Sequence, residues 1–365
     1  METVKPDLRH CKTLLGTWGI IQFSHGDLPD LDSGTCLDDN VRALLVADGV
    51  LAMNPKDKIA QQMGERALRF IEAARIRPGS FHNFMDNEGR FTDEFGSPES
   101  VGRTIWALGV TARCATVPAW RARACEMLSD TLDCVGCLSS LHSRAFAIIG
   151  LSAAVDPNAA PLPVTITGTP CPAEIQRRIE SALHGLCAGL HFEFGRNADT
   201  EWAWWEPILT YDNAKIPEAM FRGALALDYA PFADTALLAA TFLRDITQPQ
   251  RMFVAIGNDG WYPRGGRRAL YDQQPLEAAA MVDMWIAMHR YYGKAAFLQH
   301  AEDAYQWFFG RNTGGISLVD EVTGACHDAL LPDGKRNGNM GAESTLALLQ
   351  AQLFLNAAKS QTLAA

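Results

Sequence analysis

The sequence has no run of about eighteen uncharged apolar residues, so no membrane-spanning helix is expected. It also lacks a long basic stretch: acids and bases are mixed along 365 residues, and the net charge is −10. Binding to a phosphate backbone needs clustered Lys and Arg, so nucleic acid is excluded as a partner. No glycine loop of the GxGxxG or Walker kind is present, which removes the common nucleotide cradles. The opening Met-Glu-Thr-Val-Lys-Pro-Asp is not the charged-then-apolar pattern of a signal peptide. Strand signal is scarce beyond short hairpins such as 251–262, and strands do not alternate with helices. The doubly wound α/β fold that sugar-nucleotide transferases need is therefore not expected.

The nine cysteines are an odd number, and Cys114, Cys125 and Cys187 lie in apolar helical contexts. They read as buried thiols of a cytoplasmic protein. Cys134-Val-Gly-Cys137 has CxxC spacing, but no second Cys or His pair stands at zinc spacing, and Cys326-His327 has no placed partner either. No metal and no cofactor is expected.

What the sequence does contain is a recurring device: a polar or acidic cluster followed by a helix rich in Ala, Leu and small residues. The first is Thr35-Cys-Leu-Asp-Asp-Asn-Val-Arg-Ala-Leu-Leu-Val-Ala47, with apolar Val41, Leu44 and Leu45 at helical spacing. Five more follow, led by Glu99, His142, Asp212, Asp272 and Glu343. Each gap leaves room for one further helix and two loops. The segment 56–75 shows what that helix is, with Ile59, Met63, Ala67, Phe70, Ile71 and Ala74 on one face and charge on the other. Further helices are expected at 99–112, 119–134, 142–154, 173–191, 214–227, 231–245, 275–292, 294–309 and 342–358. Six helix pairs make an all-α (α/α)6 toroid, taken as a single domain over 1–365. The proline-rich stretch 156–172 is read as a loop through which the toroid continues.

If outer and inner helices alternate, the inner ones begin at one end, and the loops leading into them line one mouth. An Asp or Asn there has a plain use as a helix N-cap. Caps do not require Trp202-Ala-Trp-Trp-Glu206 beside them, nor a loop such as 257–266 that sets Trp261 and Tyr262 among glycines. Carboxylates and aromatics around one cavity suit a polyhydroxylated ligand, since rings stack on sugar C–H faces and carboxylates bind hydroxyls. Two carboxyls on opposite sides of a scissile bond can act as general acid and base. Asp39, Asp212 and Glu343, on different inner helices, are the catalytic candidates. Asp38, Arg42, Glu99, Arg103, Trp204, Trp205, Glu206, Trp261, Tyr262, Asp272, Gln273 and His327 are the candidates for substrate binding. The substrate class is a small sugar or oligosaccharide.

Several motifs carry a resemblance. Leu37-Asp-Asp-Asn-Val-Arg-Ala-Leu44, Gly102-Arg-Thr-Ile-Trp-Ala-Leu-Gly109, Leu209-Thr-Tyr-Asp-Asn-Ala214, Tyr271-Asp-Gln-Gln-Pro275 and Gly341-Ala-Glu-Ser-Thr-Leu346 stand out. The chain is similar to (α/α)6-toroid carbohydrate-active proteins, which include inverting glycoside hydrolases and sugar isomerases of the N-acylglucosamine 2-epimerase type. More closely, it resembles a bacterial group encoded beside sugar transferases and mannoside phosphorylases and often named glycosyltransferase-like. One departure is that Pro98-Glu99 stands where that group has a Glu-Asp pair. The leading reading is a glycoside hydrolase, inverting because an acid and a base on different helices of a toroid stand far enough apart to admit a water. A sugar 2-epimerase, with His142 or His327 as base, is the alternative, and a non-catalytic sugar-binding protein a third.

Overall fold

The computed structural model describes residues 5–77, 79–163 and 171–364. Twelve α-helices account for most of them: α1 (Arg9–Leu14), α2 (Leu37–Met53), α3 (Lys58–Ala73), α4 (Pro98–Cys114), α5 (Pro118–Thr131), α6 (Leu141–Val155), α7 (Ala173–Asn197), α8 (Lys215–Leu227), α9 (Ala230–Thr247), α10 (Pro275–Tyr292), α11 (Ala295–Tyr305) and α12 (Ala342–Ala364). The even-numbered helices α2 to α12 pack each on the next, and α12 returns to α2, which closes a ring. Helices α3, α5, α7, α9 and α11 each lie outside the inner helix that precedes them, and short α1 packs on α12 and α3. This is the (α/α)6 toroid.

Composition explains which helix goes where. Inner helices such as α2, α6 and α10 are buried nearly all round, so most of their residues on every face are apolar or small, with a few buried charges among them. The outer α3 buries one stripe, Ala60, Met63, Ala67, Phe70 and Ile71, and shows its charges to solvent. The inner helices approach closely where glycine allows it: a Cβ on Gly109 of α4 would lie 2.1 Å from the Gly150 carbonyl of α6.

The expected acid caps are not the caps. Cys36 caps α2 with its sulfur 3.4 Å from the Asp39 amide, and Ser97 and Ser140 cap α4 and α6. Asp38, Asp39 and Glu99 sit inside the first turns, so their side chains are not consumed by capping. The strands are all two- or three-residue antiparallel pairs in the loops. The hairpin expected within 251–262 does not form; Tyr262–Pro263 pairs instead with Ile208–Leu209. Thr35–Cys36 pairs with Phe84–Met85, and this ties the loop after α3 to the start of α2.

One other expectation is revised. Cys125, expected as a thiol, is joined by a disulfide to Cys171 at the foot of α7. In the proline-rich stretch, residues 164–170 lie outside the described residues; on its near flank Pro157–Ala159 forms a 3-10 turn, and Leu162 is buried. No helix among the described residues is long and apolar enough to cross a membrane.

Candidate active site

The first turn of α2 builds the site. Its backbone start, fixed by the pairing of Thr35 with Met85 and of Cys36 with Phe84, points Asp38, Asp39 and then Arg42 at the ring's mouth. Arg42 is the hub: one terminal nitrogen lies 3.3 Å from Asp39 and the other 2.9 Å from Glu343, on the first turn of α12. Asp39 is buried, and burial pushes its carboxyl up to about 7 even with Arg42 pulling the other way. The Cys36 thiol donates to Asp39 at 3.1 Å, and burial holds that thiol far above its ordinary range, so it remains protonated. Glu343 is different, with a side chain 41% exposed.

These groups line a pocket of about 290 Å³ together with Gln22, Phe23, Asn83, Phe84, Gln274 and Asp328. Burial also raises the Asp328 carboxyl, which accepts the Gly341 amide at 2.7 Å. Two larger grooves, of about 560 and 570 Å³, run along α7 outside the ring, and neither brings two carboxyls together.

Asp212 lies deeper. It lines a small cavity of about 10 Å³ shared with Arg42, Lys215, Trp106 and Gln350, which is room for about one water. Its backbone is left-handed, with φ 51°, and its amide donates to Glu277 at 2.6 Å. Burial raises both carboxyls, Asp212 and Glu277, and each is set against nearby charge. Lys215 is spoken for by Asp283 at 2.5 Å and Glu218 at 2.9 Å.

A second layer supports Asp38. Arg103 of α4 donates to it at 2.9 Å and lies over the Phe146 ring at 4.7 Å. Glu99 accepts from the Tyr211 hydroxyl and stands 3.7 Å from Arg103. His142 stacks on Tyr211 with centroids 4.5 Å apart, and its Nε2 meets the Tyr211 carbonyl at 2.7 Å. A carbonyl only accepts, so Nε2 must donate.

The aromatic expectation needs correction. Trp204 and Trp205 are each 1% exposed and belong to the core; Trp205 donates to the Leu190 carbonyl at 2.8 Å. Neither can be a stacking platform. Glu206 is exposed and contributes its carbonyl to Trp202. Gln273 is wholly buried, its amide shared among Leu270, Thr313 and Trp307. Trp261 and Tyr262 are half-buried, with Trp261 6.1 Å from Tyr211. Asp272 is also half-buried, and Gln274, two residues on, lines the pocket in its place. His327 donates through Nδ1 to the Asn337 carbonyl, which leaves its buried Nε2 without a partner.

The aromatic residues that do reach the pocket are Phe23 and Phe84, 54% and 43% exposed. Sequence reasoning passed over both, and over Cys36 and Asn83. The one signal was a loop after α3 with more Phe than a solvated turn keeps.

The fold and this mouth define the (α/α)6 toroid class, and comparison with solved structures agrees. The chain is similar to a sugar epimerase from a ruminal bacterium, with 14% identity, 94% of each chain covered and a TM-score of 0.68. It is similar to cellobiose 2-epimerase from Bacillus thermoamylovorans, with 11% identity, 98% of this chain and 96% of that one covered, and a TM-score of 0.68. A GH76 α-mannanase from Bacteroides thetaiotaomicron matches with 8% identity, coverage of 90% and 88%, and a TM-score of 0.57. No protein-family model and no curated protein sequence matches the chain.

Proposed function

We propose that the protein is a glycoside hydrolase that acts on a small sugar or glycoconjugate at the mouth of its toroid, with the whole ring as one catalytic domain. The observation that carries this reading is Arg42 standing between two carboxyls of unlike character in one pocket. Asp39, buried and raised to about 7, retains a proton near neutrality and serves as general acid toward the leaving oxygen. Glu343, half-exposed, is the base that takes a proton from the attacking water. The proton lost by Asp39 ends on the released alcohol, and the one taken by Glu343 leaves a hydroxyl on the anomeric carbon. Asp212 shares the small cavity beside Arg42, whose charge, with those of Lys215 and Arg103, opposes the effect of burial on its carboxyl. Similar solved structures include both a mannanase and epimerases, which supports sugar chemistry without choosing between them.

The interposed guanidinium keeps the two carboxyls from touching. That favours the gap of about 6.5–9.5 Å of inverting enzymes over the roughly 5–5.5 Å of retaining ones. A sugar 2-epimerase is the second reading, favoured by His327: its unpartnered Nε2 and its burial, which lowers its pKa, make it a neutral base.

Proton NMR of glycoside turnover in deuterated water separates the two. The hydrolase reading expects bond cleavage, a first-formed product of opposite anomeric configuration, and rates that fall as pH rises through about 7 when Asp39 loses its proton. Asp39→Asn and Glu343→Gln should each lower turnover by roughly 10²–10⁴-fold while retaining binding. Deuterium at C2 of a free sugar with no bond cleaved would give the reaction to His327 instead.

A further inference from the structure

Even with Asp39 protonated, the pocket holds more carboxylates than its lining cation can balance. Asp38, Asp39, Asp328 and Glu343 line it, and Arg42 is the single cation among its lining residues. Both ends of that guanidinium are already taken, by Asp39 and Glu343. Arg103 stands behind Asp38, bound to it and laid over Phe146. Arg42, the cation that lines the pocket, has no end left to grip an anionic sugar, and Arg103 is not among the lining residues.

Two acceptors in the pocket wall also await a donor. Asp38 Oδ1 and Asn83 Oδ1 are buried and receive no hydrogen bond, although Asp38 Oδ2 receives Arg103. Leaving such atoms desolvated and unpaired costs free energy, so a ligand that brings donors to both is favoured. A neutral hydroxyl brings one donor; an ammonium brings three, with a charge. Phe23 and Phe84 add exposed rings to the same pocket, and ring faces attract cations. A divalent metal is the other cation to weigh, but the described residues hold no group of three His, Cys, Asp or Glu side chains arranged to ligate one.

We propose that the substrate is an amino sugar bound in its ammonium form, with Asp38, Asn83 and Asp328 as the residues that select the amine. The proposal rests on the sugar-pocket reading above and adds the substrate class. Asp39 and Glu343, held by Arg42, keep their roles at the glycosidic bond. Acetylation of the amine removes its charge and leaves Asp328 without a cation, since Arg103 already pairs with Asp38.

Calorimetric titration of the intact protein with the methyl glycosides of glucosamine, glucose and N-acetylglucosamine, and with their manno counterparts, tests this. The free-amine glycoside should bind at least about tenfold more tightly than its neutral partners, roughly 1.4 kcal/mol, and added salt should narrow the gap. Asp38→Asn should bring the ratio of amine to neutral affinities toward unity. Because Asp38 also pairs with Arg103, Asp328→Asn is the second variant: its amide oxygen still accepts the Gly341 amide, while the charge and one acceptor, toward the Ser344 hydroxyl, are lost. Equal affinity of the wild type for amine, hydroxyl and acetamide forms would overturn the proposal and leave the sugar pocket standing. Failure of every glycoside to bind would remove the pocket reading itself, and the proposal with it.

Discussion

Trp205 and Phe84 show how a residue's type can mislead about its place. Both are aromatic and both lie in loops that lead toward the mouth, yet Trp205 is core and Phe84 is 43% exposed at the pocket. Indole serves either role, because its ring fills a core and its N–H needs only one acceptor, here the Leu190 carbonyl. The Trp cluster was therefore legible as important but not as buried. Phe23 and Phe84 gave little signal: Phe84 is one of four Phe within 81–95 and Phe23 closes a short apolar segment, with no helical period around either. Asp39 was legible because it opens an apolar helix; its distinction from Asp38 was not, since that depends on how far the ring buries each. Trp205→Ala should accordingly act on stability, with a loss of about 3–5 kcal/mol in denaturant unfolding. Sugar affinity of the fraction that remains folded should be unchanged. A stable variant with weakened sugar binding would return Trp205 to the mouth.

At the scale of elements, period carried the fold. Helix α10 begins and ends where periodicity put it, and the other predicted ends lie within a few residues, apart from α7 and α12, which run about six further. Apolar spacing and Pro at first-turn positions are local signals, so they survive without knowledge of the partner helix. Contacts between helices are not local, and the close crossing of α4 on α6 was invisible. There, Gly102, Gly109 and Gly150 let backbone touch backbone. Replacing a helical Gly by Ala ordinarily stabilises by roughly 0.5–1 kcal/mol. That sign should hold for Gly185 on outer helix α7, where an added methyl meets nothing within 4 Å. It should reverse at Gly150, where the methyl would lie 2.2 Å from the Ile105 carbonyl of α4 and cannot be relieved by a rotamer change. Gly150→Ala should cost about 1–3 kcal/mol in thermal or denaturant melts, as overpacked cores do. Stabilisation by both substitutions would mean that α4 and α6 stand further apart.

Across the whole molecule, closing six helices into a ring buries carboxyls that no surface protein would bury. Asp39 at the mouth and Asp48 in the middle of α2 are both pushed up to about 7 by burial, and Asp212, Glu277 and Asp328 are raised by the same cause. In the unfolded chain such groups titrate at about 4. Between about pH 4 and about pH 7 the folded state therefore holds more protons than the unfolded one, and stability falls as pH rises through that window. Groups lowered by their partners, such as Asp7 beside Arg9 and Asp199 beside Arg264, act the other way, but only as pH drops below about 4. The melting temperature should thus peak in mild acid and decline toward pH 8. Asp48 isolates the effect, because it lies away from the pocket and its contact is the Thr111 hydroxyl, 2.6 Å away. Asn has nearly the shape of a protonated Asp and never ionises. Asp48→Asn should match the wild type near about pH 5 and exceed it by roughly 1–3 kcal/mol near about pH 8.5, with part of the pH dependence removed. Calorimetric melts at both pH values decide it. A wild-type melting temperature that climbs from acid to alkali would show these carboxyls ionised at little cost inside the ring, and Asp39 would then have no proton to give.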